Sequence, residues 1–372
     1  MTKPLKLVAA NDTFAALLAL GEVLAGNQAL FVTAPEVNGL MPEVHGLPDA
    51  VDDSVGVIVE SSGSTGVPKR IELSTDALLA SANAAHARLG GPGQWLLALP
   101  INFVAGLNVL VRSLVAETAP VITNAALPFT PEGFARSASL MTGERRYTSL
   151  VPTQLERISR ELPFNDFLAA QLRRFDAILV GGQATNPATL RALRTAGAKV
   201  VETYGMTETC GGCVYDGVPL DGVHISLDDD GAIEIAGPML ANNVAGAGSV
   251  STNDRGEFDT DGRLHVLGRA DRVIASGGIK VSLDRVEQFA ATVVGAQQVA
   301  ATALVDDEWG HRVGIAYVGS PEVADSIAQS LADTLGPAGK PVRVIRVDKL
   351  PQLPNGKPDL VSIAQLFEVS NG

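Results

Sequence analysis

The chain has 372 residues, 46% of them hydrophobic and 19% charged, a balance that excludes a disordered tail, a collagen and a coiled coil. With 28 basic against 41 acidic residues the net charge is −13, which repels phosphate backbones and sets nucleic acid aside as the main partner. Two cysteines provide no disulfide framework, so a reducing cytoplasm is the expected home, and the length suits roughly two domains.

Residues 1–10 carry two lysines but neither the apolar run nor the cleavage site of a signal peptide. Residues 55–60 (VGVIVE) read as a buried strand, followed by a glycine-serine loop. Ser74, Thr75 and Asp76 then offer an N-cap to a helix running towards Leu89. The most membrane-like stretch, 95–111, is shorter than the roughly 20 residues a span needs. Pro100, Asn102, Gly106 and Asn108 also interrupt it, so a buried strand over 94–99, a turn and a helix are expected there, with no membrane insertion. Strands at 177–180 and 199–203, with helices such as 187–195 between them, predict a largely parallel sheet. From 231 to 267 short strands are broken by Gly, Asn and Asp, with Asp-Gly turns at 230–231 and 261–262, which predicts an antiparallel patch. After Gly268 come helix 282–291, strands 297–305 and 313–318, helix 321–335 and strand 342–347. The predicted class is α/β. A large N-terminal domain, 1–270, has mainly parallel sheets flanked by helices plus the antiparallel patch; a small α+β domain, 271–372, follows.

Ser61-Ser62-Gly63-Ser64-Thr65-Gly66-Val67-Pro68-Lys69 follows the first buried strand. Its glycines let amide N–H groups converge on an anion, its hydroxyls add donors, and Lys69 adds a charge. It is not a Walker A loop, which needs G-x-x-x-x-G-K-[ST] opening a helix. Here Val67-Pro68 separate Gly66 from Lys69, and Pro68 before Lys69 and Arg70 predicts an extended exit. On composition alone, a flexible Ser/Gly turn is the alternative.

The nine residues resemble the phosphate loop of the adenylate-forming enzymes, which include acyl-CoA synthetases, peptide-synthetase adenylation domains and luciferases. Four further signatures follow in order. Tyr204-Gly205-Met206-Thr207-Glu208 resembles the nucleotide motif, and Thr252-Asn253-Asp254 the segment that holds the ribose. Gly268-Arg269-Ala270-Asp271-Arg272-Val273-Ile274 with Gly277-Gly278 resembles the hinge segment, and Leu353-Pro354-Asn355-Gly356-Lys357 the C-terminal lysine motif. The resemblance runs from 61 to 357, nearly the whole chain. Within the superfamily, the run beginning at Tyr204 and the segment Ser149-Leu-Val-Pro-Thr-Gln-Leu are similar to the o-succinylbenzoate–CoA ligases of menaquinone biosynthesis, in their compact actinobacterial form. Few residues precede the phosphate loop, which implies a trimmed N-terminal subdomain.

The resemblance implies an AMP-forming acid–thiol ligase, with Mg²⁺, ATP, coenzyme A and an aromatic dicarboxylic acid as small-molecule partners; a homodimer is left open. It implies that Ser61, Ser62, Gly63, Ser64, Thr65, Gly66 and Lys69 cradle phosphates. Gly181, Gly182 and Gln183 lie beside the base, with Gly181 reaching the acyl pocket. Tyr204 stacks on adenine, Gly205 and Met206 lead into the site, Thr207 donates to the α-phosphate, and Glu208 holds the metal. Asp254 accepts the ribose hydroxyls with Arg269 near the same sugar, although Asn253 stands where the family writes glycine. Lys357 neutralises the transferring phosphate, Asp271 is the hinge, and Gly277 and Gly278 face coenzyme A. A solvated lysine, a core tyrosine and ordinary surface charges are the plainer readings of Lys357, Tyr204, Asp254 and Arg269.

Phe103 stands where many relatives carry a histidine that gates the carboxylate. Arg112, on the helix beyond it, is a candidate for the second carboxylate or an ordinary helix-surface arginine. Cys210-Gly211-Gly212-Cys213 has redox or metal spacing. A structural zinc needs four ligands, however, and no second such pair is present among five scattered histidines. Gly211 and Gly212 then read as a wall of small residues leaving room for a planar acyl group. Two other functions stand beside this one: a ligase for another aromatic or short acid, and a nucleotide-binding regulator without catalysis. Glu208, Asp254 and Lys357 together argue against the regulator.

Overall fold

The computed structural model describes residues 1–61, 69–123, 128–353 and 358–369. They form a mixed α/β protein that divides into two compact units, one of residues 1–182, 191–226 and 234–250, the other of 183–190, 227–233 and 251–372.

The first unit holds two sheets. In one, the strands Ala50–Asp52, Thr2–Ala9, Ala29–Thr33, Val55–Ser61 and Lys69–Ser74 lie in that order. Its three central strands run parallel, and Ala29–Thr33 is buried at every position, as a strand covered on both faces must be. The strand Lys69–Ser74 supplies the extended exit expected after Pro68, and Ser74 caps the helix Thr75–Arg88 by accepting from Ala77 N at 3.0 Å. The N-terminal strand–helix–strand, Thr2–Ala9, Thr13–Leu24 and Ala29–Thr33, had no counterpart among the sequence expectations.

The second sheet has the order Val218–Pro219, Gly211–Tyr215, Val200–Met206, Ala177–Gly181, Arg146–Leu150, Gln94–Leu97 and Val121–Ile122. It is parallel from Val200–Met206 to Val121–Ile122 and antiparallel at the other edge. The stretch around 95–111 forms the strand Gln94–Leu97 and the helix Val104–Val115, buried continuously from Gly106 to Ser113. A helix apolar on nearly every side belongs inside a large core. No helix among the described residues is long and apolar enough to cross a membrane.

In the second unit, the end of the strand Ser249–Phe258 pairs antiparallel with Leu264–Arg269 through a turn at Gly262, the predicted Asp-Gly turn. A further sheet orders Ile279–Ser282, Val273–Ser276, Gly310–Gly319 and Ala296–Asp306, with Arg343–Arg346 also paired to Gly310–Gly319. Along Gly310–Gly319 the side chains alternate between two cores. Ile315 and Tyr317 meet Val286, Ile327 and Leu331, whereas Ala316 meets Ile363 and Phe367. The Val273–Ser282 hairpin was not foreseen. Gly277 and Gly278 turn it at φ 56° and 81°, as a two-residue hairpin with both central residues at positive φ requires.

Candidate active site

The strand Val200–Met206 ends in a tight turn, Thr207–Thr209, whose fastenings are all inside the first unit. Met206 N donates to Thr209 Oγ1 at 2.9 Å, and Cys210 N donates to Thr207 O at 3.1 Å. Cys210 takes the left-handed conformation at φ 49°, turning the chain back into the strand Gly211–Tyr215. Its carbonyl accepts from Asn108 Nδ2 at 2.6 Å and from Ser81 Oγ at 3.2 Å. Ala241 N closes the other side by donating to Glu208 O at 2.8 Å. Thr209 and Cys210 are buried, while Thr207 and Glu208 stay half-buried. Asn108 and Ser81, the anchors of this turn, escaped the sequence reading: an amide and a hydroxyl on otherwise apolar helix faces were the only signal.

Close backbone approach shapes the surroundings. A Cβ on Gly205 would collide with Gly211 O, and one on Gly181 with Thr203 Oγ1, so both strand ends need glycine. A Cβ on Gly211 would lie 2.7 Å from Asn108 Nδ2, and one on Gly212 3.0 Å from Thr203 Cβ. The space these two glycines leave is filled by Asn108 and Thr203. Both thiols are buried, and burial pushes Cys210 up to about 12 and Cys213 up to about 11. Among the described residues no group of three or more His, Cys, Asp or Glu is placed to hold a metal by itself.

Ser61 and Lys69 face each other across the antiparallel pair of Val55–Ser61 and Lys69–Ser74. Ser62, Gly63, Ser64, Thr65 and Gly66 lie outside the described residues, as does Lys357. Phe103 is half-buried at the head of the helix Val104–Val115, whose close packing needs Gly106 against Pro100 O. Arg112 is 3% exposed. Its Nη2 donates to the Tyr215 hydroxyl at 3.3 Å, and its guanidinium lies over the Trp95 ring at 5.0 Å. Gly182 ends one segment of the first unit at φ 86°, and Gln183 belongs to the second.

Within the second unit, Asp254 and Arg269 are register partners, with Arg269 Nη1 3.8 Å from Asp254 Oδ1. Asn253 continues the strand and is not among the residues at positive φ, so the family's glycine is not needed for this backbone. Arg269 also grips Asp271, Nε to Oδ1 at 2.8 Å and Nη2 to Oδ2 at 2.5 Å. That grip holds the Asp271 carboxyl below its usual range and raises the guanidinium. Asp284 accepts from Arg269 N at 2.6 Å and from Arg272 Nη1 at 2.5 Å, and Arg272 continues to Glu287 at 2.7 Å. One carboxylate therefore ties down both sides of the expected hinge residue, a feature no sequence motif announced.

A parallel α/β unit that presents a threonine and a carboxylate on a strand-end turn has the form of a nucleotide-binding enzyme. Residues 15–270 match the AMP-binding enzyme family, and the chain belongs to it. It is 37% identical over 380 residues to a probable 2-succinylbenzoate–CoA ligase of Mycobacterium tuberculosis, covering 98% of each chain. Among solved structures, the amide bond synthetase McbA from Marinactinospora thermotolerans superposes with a TM-score of 0.78 at 22% identity, over 98% of this chain and 90% of that one. The o-succinylbenzoate CoA synthetase of Bacillus subtilis, in complex with the acyl-adenylate intermediate, gives 0.75 at 20% identity, over 97% and 88%.

Proposed function

We propose that the chain is an AMP-forming acid–thiol ligase that adenylates o-succinylbenzoate and passes the acyl group to coenzyme A, the menaquinone-pathway reaction. The end-to-end likeness to the mycobacterial ligase is the observation that carries this reading. In the first half-reaction a carboxylate oxygen attacks the α-phosphorus of ATP, and the bond to the bridging oxygen breaks as pyrophosphate leaves. In the second, the coenzyme A sulfur attacks the acyl carbon, its proton passes to solvent, and AMP leaves. Both reactants of the first step are anions, so catalysis consists mainly of alignment and charge neutralisation.

Thr207 donates to the α-phosphate, and Tyr204 stacks on the base beside Gly182 and Gln183. Asp254 accepts the ribose hydroxyls with Arg269, and Lys357 supplies the neutralising charge. Mg²⁺ accompanies ATP, and one carboxylate suits it, because this ion is commonly held by one or two protein oxygens together with substrate phosphates. Glu208, half-buried beside Thr207, is that ligand. The bound ion supplies charge neutralisation to the departing phosphates. Phe103 closes over the carboxylate by bulk alone, since a phenyl ring cannot hydrogen-bond. Residues 271–372 act as the mobile domain about Asp271, bringing Gly277 and Gly278 to the coenzyme A side. ATP and coenzyme A place the reaction in the cytoplasm.

ATP–pyrophosphate exchange across a panel of carboxylic acids tests the proposal. Exchange that requires o-succinylbenzoate, followed by thioester formation on adding coenzyme A, is expected. Exchange with another acid alone would move the substrate, and exchange with none would overturn the ligase.

A further inference from the structure

The helices Thr75–Arg88 and Val104–Val115 pack against each other and against the larger sheet of the first unit, and a cation is closed in among them. Arg112, 3% exposed, spans from the Trp95 ring, 5.0 Å from its guanidinium carbon, to the Tyr215 hydroxyl at 3.3 Å. Those two residues sit on strands with three others between them in the sheet. Elsewhere the chain answers a largely buried guanidinium with carboxylates, as Asp284 and Glu287 answer Arg272. Among the described residues no carboxylate answers Arg112, and its Nε is buried with no hydrogen-bond partner.

The same holds for Trp95 Nε1 and His86 Nε2, which belong to side chains 0% and 5% exposed. His86 lies beside Trp95, with ring centroids 6.4 Å apart, and near enough to Arg112 for that charge to help keep the imidazole neutral. In one tautomer its Nε2 is then a donor. Tyr215 accepts from Arg112 and keeps its own hydroxyl proton to donate. The cluster thus gathers one uncompensated positive charge and four donor groups, in a chain whose net charge is −13. A buried cation without a counter-charge and buried N–H groups without acceptors both destabilise a core.

We propose that this cluster binds one small monovalent anion, of the chloride class, in the core of the first unit. Arg112 supplies the opposite charge; Arg112 Nε, Trp95 Nε1, His86 Nε2 and the Tyr215 hydroxyl supply the donors. A water molecule would satisfy the N–H groups and leave the charge uncompensated. A phosphate would bring surplus negative charge to a single guanidinium. Side chains no more than 5% exposed close the cluster against an organic acid, so the anion is structural and separate from the substrates.

Two measurements on the full chain test it. Crystals grown in bromide should show an anomalous peak in hydrogen-bond contact with Arg112 Nε. Melting curves in chloride and in gluconate at equal ionic strength should show the wild type stabilised by chloride in a saturable way. Trp95→Phe removes one donor and keeps an aromatic ring, and should raise the half-saturating chloride concentration about tenfold. Arg112→Met should abolish the dependence; if it does not fold, Trp95→Phe and the bromide peak decide. No peak at Arg112, an ordered water in its place, or the same chloride dependence in wild type and variants would overturn the site.

Discussion

Cys210 combines full burial with a left-handed backbone, a conformation most side chains avoid, because the turn behind Glu208 must reverse within one residue. With both thiols raised to about 12 and about 11 by burial, almost no thiolate forms at neutral pH. A disulfide reagent should leave the folded protein untouched and titrate both thiols on denaturation. Rapid modification of the native chain would return the pair to redox chemistry. His86, 5% exposed near Trp95 and Arg112, is held neutral by burial first and by that guanidinium second, at about 4 against its ordinary 6.5. The unfolded chain binds the proton first as pH falls, so its contribution is intact above 6.5 and lost on descending towards 4. The loss is about 3 kcal/mol. Between pH 7 and pH 4 the wild type should lose about 3 kcal/mol more stability than His86→Leu, read from melting curves at each pH; an equal loss in both would remove His86 from acid sensitivity. Arg112 illustrates what sequence cannot supply: its place on the helix was legible, but its partners Trp95 and Tyr215 lie 17 residues before it and 103 after it. Arg112→Ala should therefore lower stability by about 2–4 kcal/mol and move both KM values little. A rise in KM for the acid alone would give the guanidinium to the substrate.

Where a β-rich run met a cap or an Asp-Gly turn, the elements were readable: Ser74 caps its helix, and the strand after Pro68 is extended. The N-terminal strand–helix–strand escaped because Lys3 fills a buried position of its first strand, 7% exposed, and hides the apolar–polar alternation that announces a strand. The hairpin Val273–Ser282 escaped because its two glycines were read for chemistry, whereas their positive φ makes a turn. The network under the hinge segment escaped for a different reason, since its charges sit 12 to 15 residues apart on a strand, a short turn and a helix, and no periodicity pairs them. Burial alone would push the Arg272 guanidinium down, yet Glu287 and Asp284 hold it above its ordinary value. The helix Leu283–Ala290 contributes both carboxylates, so it is the element that fixes the segment's path. Removing Asp284 takes the acceptor from Arg269 N and leaves Arg272 Nη1 to Glu287 Oε2 alone. Asp284→Ala should cost about 1–3 kcal/mol by urea denaturation. A change within about 0.5 kcal/mol, the range of an ordinary surface substitution, would show that the network does not hold the segment.

At the scale of the whole molecule, motif order along the chain revealed the class of reaction, since each motif carries its chemistry in adjacent residues. The anchors Asn108, Ser81 and Asp284 come from elsewhere in the chain and needed the fold. The proposed reaction sets a geometric problem: the role proposed for Lys357 is to neutralise a phosphate in one step, and a thiol has to reach the acyl carbon in the next. In the mechanism we propose, a small domain turning about Asp271 would answer it by exchanging Lys357 for the Gly277-Gly278 hairpin. Asp271 lies in the short turn Ala270–Arg272, where proline's fixed φ of about −65° matches such a turn. Asp271→Pro should lock the segment, allowing adenylate to form while transfer to coenzyme A stalls. Because that change also removes the partner of Arg269, Asp271→Asn serves as the control for the lost charge and should pass both steps. Lys357→Ala should do the reverse, slowing pyrophosphate release roughly 100-fold or more while thioester still forms from acyl-adenylate supplied ready-made. Pyrophosphate release and thioester yield, assayed separately for each folded variant, decide the matter. Equal loss of both half-reactions in Lys357→Ala and Asp271→Pro would rule out a rotating domain.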